Sequence, residues 1–228
     1  EENYKDFVRA GAQLDVEQKE QLKAINLELA ELSTSFSQNV LDEVNAKAIV
    51  VDSADELAGL TEAQIQTAAD AAESRDMPGK FVIPLLNTSG QPWLSSLENR
   101  ALRQRIHETS LSRGHSGGEF DNREILSRTA TLRAIKSSLL GFNNHAEYIL
   151  QNQTAQTVAA VNQRLADLTP PAIANARREA ADLQAMIEAE GEDFQLASWD
   201  WDYYAEKVRQ ERYDFDASEL KPYLEVNN

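Results

Sequence analysis

Two long stripes of apolar residues constrain this sequence more than any other feature. Over residues 16–44, apolar side chains recur every three or four positions, as on one side of an amphipathic helix. A second stripe runs over residues 157–191 and contains Pro170-Pro171, which should kink or restart the helix. A helix of the first length spans about 40 Å, the size of a whole domain. Each stripe therefore predicts a packing face inside a helical domain rather than a free coiled coil.

Shorter helices are predicted around these stripes. Asp15 is a plausible N-cap for the first stripe, and Thr61 to Gln64 have the sequence of a capping box that opens a helix to about Arg75. Further helices are predicted over residues 99–112, over residues 121–140 and after Asp200. Gly141 should end the 121–140 helix. The predicted buried face of that helix consists of Leu126, Thr129, Leu132, Ile135 and Leu139.

Two short β-type runs, residues 48–51 and 81–86, flank the capped helix. The simplest arrangement is a two-stranded ribbon that encloses this helix, with Pro84 at an edge or a strand end because proline cannot donate a ladder hydrogen bond. Nine Gly and six Pro in 228 residues are too few to favour an all-β chain. The predicted fold class is mainly α: a multi-helix domain with long helices and a small β-ribbon.

The charge balance restricts the classes of partner. The sequence has 22 basic and 38 acidic residues, a formal charge of −16, and such a surface repels the phosphates of nucleic acids. No apolar run approaches the roughly 20 residues that a membrane-spanning helix needs. The absence of cysteine excludes disulfides and thiolate metal sites but is compatible with both cytoplasm and periplasm. We expect no nucleic-acid partner and no membrane partner.

The three histidines do not have the spacing of a metal site. His107-Glu108 begins the H-E-x-x-H pattern of zinc hydrolases, but the fifth position is Leu111. His115 and His145 follow no ligand spacing. We therefore predict that His107 is an ordinary residue of an amphipathic helix.

Two other segments resemble binding loops only in part. Residues 214–225 begin like a calcium loop, but its sixth position, which needs Gly, is Glu219, and Pro222 stands where a ligand should lie. The calcium-like positions are Asp214, Asp216, Ser218 and Glu225, and an N-capped turn is the preferred interpretation. Residues 114–118, Gly-His-Ser-Gly-Gly, could cradle an anion if they joined a strand to a helix. They lie between two helical patterns, which favours a mobile surface loop.

An aromatic run, Trp199-Asp200-Trp201-Asp202-Tyr203-Tyr204, is rich enough in rings to line a ligand site. At the start of a helix, packing is the simpler role. We predict that Trp199, Tyr203 and Tyr204 anchor the core and that Asp200 caps the helix. Spacing alone thus identifies no catalytic, cofactor-binding or metal-binding residue.

Several motifs resemble the thimet oligopeptidase family of zinc metallopeptidases, in particular its bacterial peptidyl-dipeptidases. The most specific stretch runs from Trp199-Asp200-Trp201 to Leu220-Lys221-Pro222-Tyr223. Further similar motifs are FDNREIL at 120–126, LRA at 132–134, LLGF at 139–142, VVD at 50–52, LAGL at 57–60 and IPLLNT at 83–88. The resemblance spans most of the chain.

The resemblance implies a helix-rich enzyme of two halves with a channel between them, which removes dipeptides from the C-termini of short peptides. Its single zinc is held by the two His of an H-E-x-x-H helix and a further Glu. None of these residues occurs here, so no catalytic or metal role is assigned to any residue. Residues 1–228 are expected to be a central helical segment, truncated at both ends, with the zinc domain after Asn228.

The expected partners are oligopeptide substrates and the zinc-bearing half of the same protein. The expected location is the cytoplasm, with the periplasm as the alternative. A non-enzymatic helical interaction domain is the alternative function. An H-E-x-x-H motif in the reading frame beyond Asn228 would favour the peptidase, and a stop codon there would favour the interaction domain.

Overall fold

The computed structural model describes residues 2–88, 90–213 and 223. Within these residues, regular structure consists of eight α-helices, short 3₁₀ turns and one two-stranded sheet. The helices are α1 (Glu2–Arg9), α2 (Val16–Ala46), α3 (Glu62–Glu73), α4 (Arg100–Leu111), α5 (Arg123–Leu139), α6 (His145–Leu150), α7 (Val158–Ala189) and α8 (Trp201–Tyr213). The strands are β1 (Ile49–Val51) and β2 (Phe81–Ile83). The prediction of a mainly α fold with a small β-ribbon is confirmed.

The chain folds into two compact units, each assembled from two stretches of sequence. Unit 1 comprises Glu1–Glu43 and Arg113–Ala172, and unit 2 comprises Val44–Ser112 and Ile173–Asn228. Of the three boundaries between the units, two fall inside the long helices α2 and α7, and the third lies between α4 and α5. Each long helix therefore contributes to two units. The apolar periodicity of the two helices does not indicate this division.

The predicted starts of α2 and α3 are confirmed by reciprocal capping bonds. Asp15 Oδ1 accepts from the N–H of Gln18 at 2.8 Å, while Gln18 Oε1 accepts from the N–H of Asp15 at 3.1 Å. In the same way, Thr61 Oγ1 accepts from the N–H of Gln64 at 3.3 Å, and Gln64 Oε1 accepts from the N–H of Thr61 at 2.9 Å. Each box satisfies backbone N–H groups that a helix start leaves without intrahelical partners.

Removing the α3 cap should produce a measurable loss of stability. We expect Thr61→Ala to lower the free energy of unfolding by about 1 kcal/mol. Urea denaturation followed by tryptophan fluorescence measures this loss, because all three tryptophans lie with α3 in unit 2. Thr67→Ala is the matched control: its hydroxyl donates to the Ala63 carbonyl inside the helix, and alanine is a better helix former. Equal losses in the two variants would contradict the capping role.

The ribbon and α3 form the centre of the larger hydrophobic core, in unit 2. β1 and β2 are antiparallel, with Ile49 opposite Ile83, and β2 ends directly before Pro84 as predicted. The buried residues of this core are Ile49, Val51, Leu57, Ala68, Ile83, Leu85, Leu94, Leu97, Leu102 and Ile106. The last two come from α4, whose N-cap, Asn99, accepts from the N–H of Leu102 at 3.1 Å.

A second cluster in unit 2 joins the C-terminal part of α7 to α8. Leu183 and Ile187 of α7 and Tyr204 of α8 are its buried members. In unit 1, α5 ends at Leu139, and Gly141 follows with a φ of +84°, a left-handed conformation that favours glycine. The predicted end of α5 is therefore confirmed.

Helix α7 differs from the prediction at its two prolines. It continues through Pro170 and Pro171 as one helix, so a restart is wrong, whereas a kink at the prolines stays a prediction. The side chains of residues 162–179 are all exposed. The carbonyl groups that lack an N–H donor because of the prolines can therefore be hydrated, which reduces the cost of continuing the helix.

The predicted buried faces are only partly buried. Leu22 and Ile25 of α2 and Leu132 of α5 are covered, but Leu126 is 60% exposed and Ile135 is 40% exposed. Phe36 of α2 and Leu165, Leu168 and Ile173 of α7 are also exposed. Periodicity identifies the apolar side of a helix, but a neighbouring element must cover that side before it is buried. Among the described residues, no helix has the length and apolar character needed to cross a membrane.

Candidate functional site

The histidines occupy three unrelated environments. His107 lies on α4 in unit 2, with its ring edge-on to Trp199 at 6.4 Å between centroids. His115 is exposed in the loop between α4 and α5, and His145 begins α6. Over residues 2–88, 90–213 and 223, no three or more His, Asp or Glu side chains are grouped so that they could hold a metal ion. The residues that the structure describes therefore do not fit the zinc site that the resemblance implies.

The surroundings of His145 also oppose metal binding. Burial lowers the pKa of His145, and the positive charges of Arg133 and Lys136 lower it further. Its Nδ1 is 3.5 Å from the hydroxyl of Ser137. Two nearby cations would repel a divalent ion, and metal sites usually supply a carboxylate or carbonyl to orient the imidazole.

The glycine-rich loop does bind an anionic group, but that group belongs to the protein. Glu43 of α2 is fully buried, and its carboxylate accepts from the N–H of Gly114 and from the hydroxyl of Ser116. Gly114 has a φ of +73°, which allows its N–H to turn toward α2. The predicted position of the loop between two helices is thus confirmed, whereas its predicted mobility stays a prediction. A carboxylate from α2 occupies the donors that could have cradled an external anion.

Buried Asn122 holds the other end of this loop. Its N–H donates to the Gly114 carbonyl at 2.8 Å, and its Nδ2 donates to the carbonyl of Phe36 at 3.2 Å. Asn39 Nδ2 donates to Asn122 Oδ1 at 3.0 Å. These contacts join the start of α5 to α2 within unit 1 and support a structural role for the loop.

The aromatic run contains a buried ionic cluster in unit 2. Asp200 is fully buried and accepts from the Arg100 guanidinium at 2.9–3.2 Å and from Arg103 Nη2 at 2.9 Å. It also accepts from the N–H of Ala197 at 3.1 Å, so its carboxylate bonds the start of the 3₁₀ turn Ser198–Asp200 that precedes α8. The prediction had Asp200 capping α8 itself, and none of its described hydrogen bonds reaches an N–H of that helix. Sequence reasoning missed both arginines, which precede Asp200 by 100 and 97 residues.

Arg103 connects this cluster to the core. Its Nη1 donates to the carbonyls of Leu97 and Glu98 at 2.8 and 2.9 Å, and its guanidinium stacks 4.2 Å from the Tyr203 ring. Burial raises the pKa of neighbouring Tyr204. The predicted packing role of Tyr203 and Tyr204 is confirmed, since both belong to the α7–α8 cluster. The calcium-like positions 214–222 and 225 lie outside the described residues.

Comparisons with known proteins agree with the motifs found in the sequence. A sequence model of Peptidase family M3 matches residues 93–228. A dipeptidyl carboxypeptidase of Salmonella typhimurium is 38% identical over 221 residues, which are 97% of this chain and 32% of that protein. The dipeptidyl carboxypeptidase of Escherichia coli is 37% identical over the same shares of both chains.

More distant relatives match over equally long stretches. Oligopeptidase A of Haemophilus influenzae is 32% identical over 100% of this chain and 34% of its own length. Saccharolysin of Saccharomyces cerevisiae is 24% identical over 98% of this chain and 31% of its own length. The chain thus spans about a third of the length of the curated relatives that it matches.

Proposed function

Because the chain belongs to peptidase family M3, we propose that it is a non-catalytic part of a zinc metallopeptidase that releases C-terminal dipeptides from oligopeptides. The observation that carries this proposal is the 37–38% identity to two dipeptidyl carboxypeptidases over 97% of the chain. Chains this similar over their whole matched length share a fold, and the family relationship favours a shared substrate class.

The role proposed for this chain is that of scaffold and channel wall. The zinc ion would be held by residues outside 1–228, in a domain that follows Asn228, and would supply the activated water for hydrolysis. The side chains described here bind no reacting atom in this proposal. Their buried clusters, centred on Glu43 in unit 1 and Asp200 in unit 2, hold α2, α4, α5 and α8 in place.

The proposed partners are oligopeptides and the zinc-bearing part of the same protein. The formal charge of −16 supports the exclusion of nucleic acid. We propose a cytoplasmic location, with the periplasm as the alternative. One relative, from Arabidopsis thaliana, is named a probable cytosolic oligopeptidase A.

The genomic reading frame tests the proposal directly. An H-E-x-x-H motif within the next few hundred codons after Asn228 is expected. A stop codon directly after Asn228 would instead favour a non-enzymatic helical interaction domain.

The isolated chain should neither hold zinc tightly nor cleave peptides. The reason is the lack of a pre-organised His pair with an adjacent general base. Equilibrium dialysis against zinc should show no stoichiometric tight binding, and a blocked tetrapeptide should release no dipeptide. The full-length protein is the positive control for both assays. Tight zinc together with turnover that a chelator abolishes would overturn the scaffold role.

A further inference from the structure

A groove of about 520 Å³ lies between α2 and α5 of unit 1. Its apolar wall consists of Leu29 and Phe36 from α2 and Leu126 from α5. Phe36 is 38% exposed and Leu126 is 60% exposed, although both lie on helix sides with the apolar period of a buried face. The volume falls within the range of about 300–1,000 Å³ that is typical of ligand sites.

Polar contacts join the two helices that form the groove. Lys136 Nζ donates to Asn26 Oδ1 at 2.7 Å, and Arg128 binds the carboxylate of Glu28 at 2.5 and 2.8 Å. Asn122, directly before α5, bonds Asn39 and the Phe36 carbonyl of α2. These contacts keep the helices together while the apolar side chains between them stay uncovered.

The groove is positively charged in a strongly acidic protein. Arg133 and Lys136, one helical turn apart on α5, line it, and none of its lining residues is acidic. Within the part of the chain that the structure describes, the Arg133 guanidinium has no carboxylate partner, whereas Arg128 is paired with Glu28. Burial lowers the pKa of Lys136, and a bound anion would offset that effect.

Hydroxyl groups lie between the apolar wall and the basic end. Ser33 and Thr129 line the groove, and neither side-chain hydroxyl bonds another described residue. A hydroxyl can accept a hydrogen bond from an N–H group and donate one to a C=O group, so both can bond the backbone of an extended peptide. A free phosphate would leave the apolar wall unused, and a fatty acid would leave the hydroxyls unused.

We propose that this groove binds the C-terminal end of an oligopeptide. The terminal carboxylate lies against Arg133 and Lys136, where a guanidinium can form a bidentate pair with it. An apolar side chain of the peptide packs against Phe36 and Leu126. This inference rests on the proposed function, since it gives a peptidase that acts at C-termini a surface that recognises that terminus.

Fluorescence anisotropy of two N-terminally dansylated, leucine-containing tetrapeptides tests the proposal. One peptide carries a free C-terminal carboxylate and the other a C-terminal amide, and a chelator excludes turnover. We expect the free acid to bind about tenfold or more tightly than the amide, as for a hydrogen-bonded ion pair. Arg133→Gln should abolish this difference, and Arg164→Gln, at an exposed position of α7 in unit 1 outside the groove, should preserve it.

A second pair of variants tests the apolar wall without disturbing the fold. Leu126→Ser should weaken the binding of both peptides several-fold, because Leu126 lines the groove. The substitution should leave the fold intact, because Leu126 is already exposed. Leu165→Ser, 55% exposed on α7, should leave both affinities unchanged. Circular dichroism confirms that each variant is folded. Equal binding of acid and amide, or equal effects of the Arg133 and Arg164 variants, would overturn the proposal.

The results also separate this inference from the proposed function. If the full-length protein releases dipeptides but this chain binds neither peptide, the groove proposal is wrong and the peptidase proposal stands. If the chain binds the free acid more tightly than the amide but the gene encodes no H-E-x-x-H, the peptidase proposal is wrong and the groove proposal stands. Dimerisation that Leu126→Ser abolishes, without peptide binding, would make the groove a contact between copies and would overturn the inference.

Discussion

Replacing Asp200 with asparagine is expected to lower the free energy of unfolding by about 3–5 kcal/mol. Asparagine keeps the shape of the side chain and an acceptor for the Ala197 N–H, but it removes the charge that compensates Arg103. Arg103 is 2% exposed and Asp200 is fully buried. The loss is therefore that of a buried charge left without its partner, which exceeds the value of an exposed salt bridge several-fold.

Urea denaturation followed by tryptophan fluorescence measures this effect, since all three tryptophans lie in unit 2. Asp202→Asn is the matched control, because Asp202 is exposed in the same segment. Arg100→Gln should cost far less, because the Arg100 side chain is 35% exposed and water can replace part of its contact. Asp200→Asn combined with Arg103→Met should recover part of the loss by removing both charges. An Asp200→Asn loss no larger than that of Asp202→Asn would show that the cluster does not stabilise unit 2.

Replacing Glu43 with glutamine should release the loop between α4 and α5. The carboxylate accepts from both the Gly114 N–H and the Ser116 hydroxyl, whereas a glutamine side chain offers one oxygen and a competing NH₂ donor. Hydrogen bonds to a charged group contribute about 1.5–3 kcal/mol. We expect a loss of that size for unit 1, with amide exchange of residues 113–118 at least about tenfold faster.

Hydrogen–deuterium exchange with mass spectrometry measures this change, because unit 1 contains no tryptophan. Glu31→Gln, at an exposed position on the same helix, is the control and should leave the loop unchanged. If both variants exchange alike over residues 113–118, Glu43 does not anchor the loop.

Local features of the fold could be predicted because their causes lie within a few residues. The Asp15 cap, the Thr61–Gln64 box, the Gly141 end and the strand break at Pro84 each depend on a short pattern. The short helix α6 was not predicted, although Asn144 caps it by accepting from the N–H of Glu147 at 2.9 Å. That cap has the same local chemistry as the others, so the signal was present and overlooked.

The functional and buried polar sites were less predictable than the local features of the fold. Spacing showed correctly that the histidines do not follow the H-E-x-x-H pattern, and motif resemblance led to the family that the comparisons support. Neither spacing nor resemblance showed that Glu43 and Asp200 are the centres of buried polar clusters in unit 1 and unit 2. A buried carboxylate has no local sequence signature, because its burial depends on distant elements that cover it and on the donors that they supply.

The sequence by itself determined the helices, their caps, the ribbon and the family. The helices, their caps and the ribbon depend on hydrogen bonds and side-chain periodicity over a few neighbouring residues, so the local sequence is enough to specify them. Only the tertiary structure decided which apolar faces are covered, leaving Phe36 and Leu126 in an open groove. It also decided which charges meet, pairing Glu43 with Gly114 across 71 residues and Arg103 with Asp200 across 97. Such contacts form only where packing brings distant segments together, because burial must repay the cost of closing the chain between them.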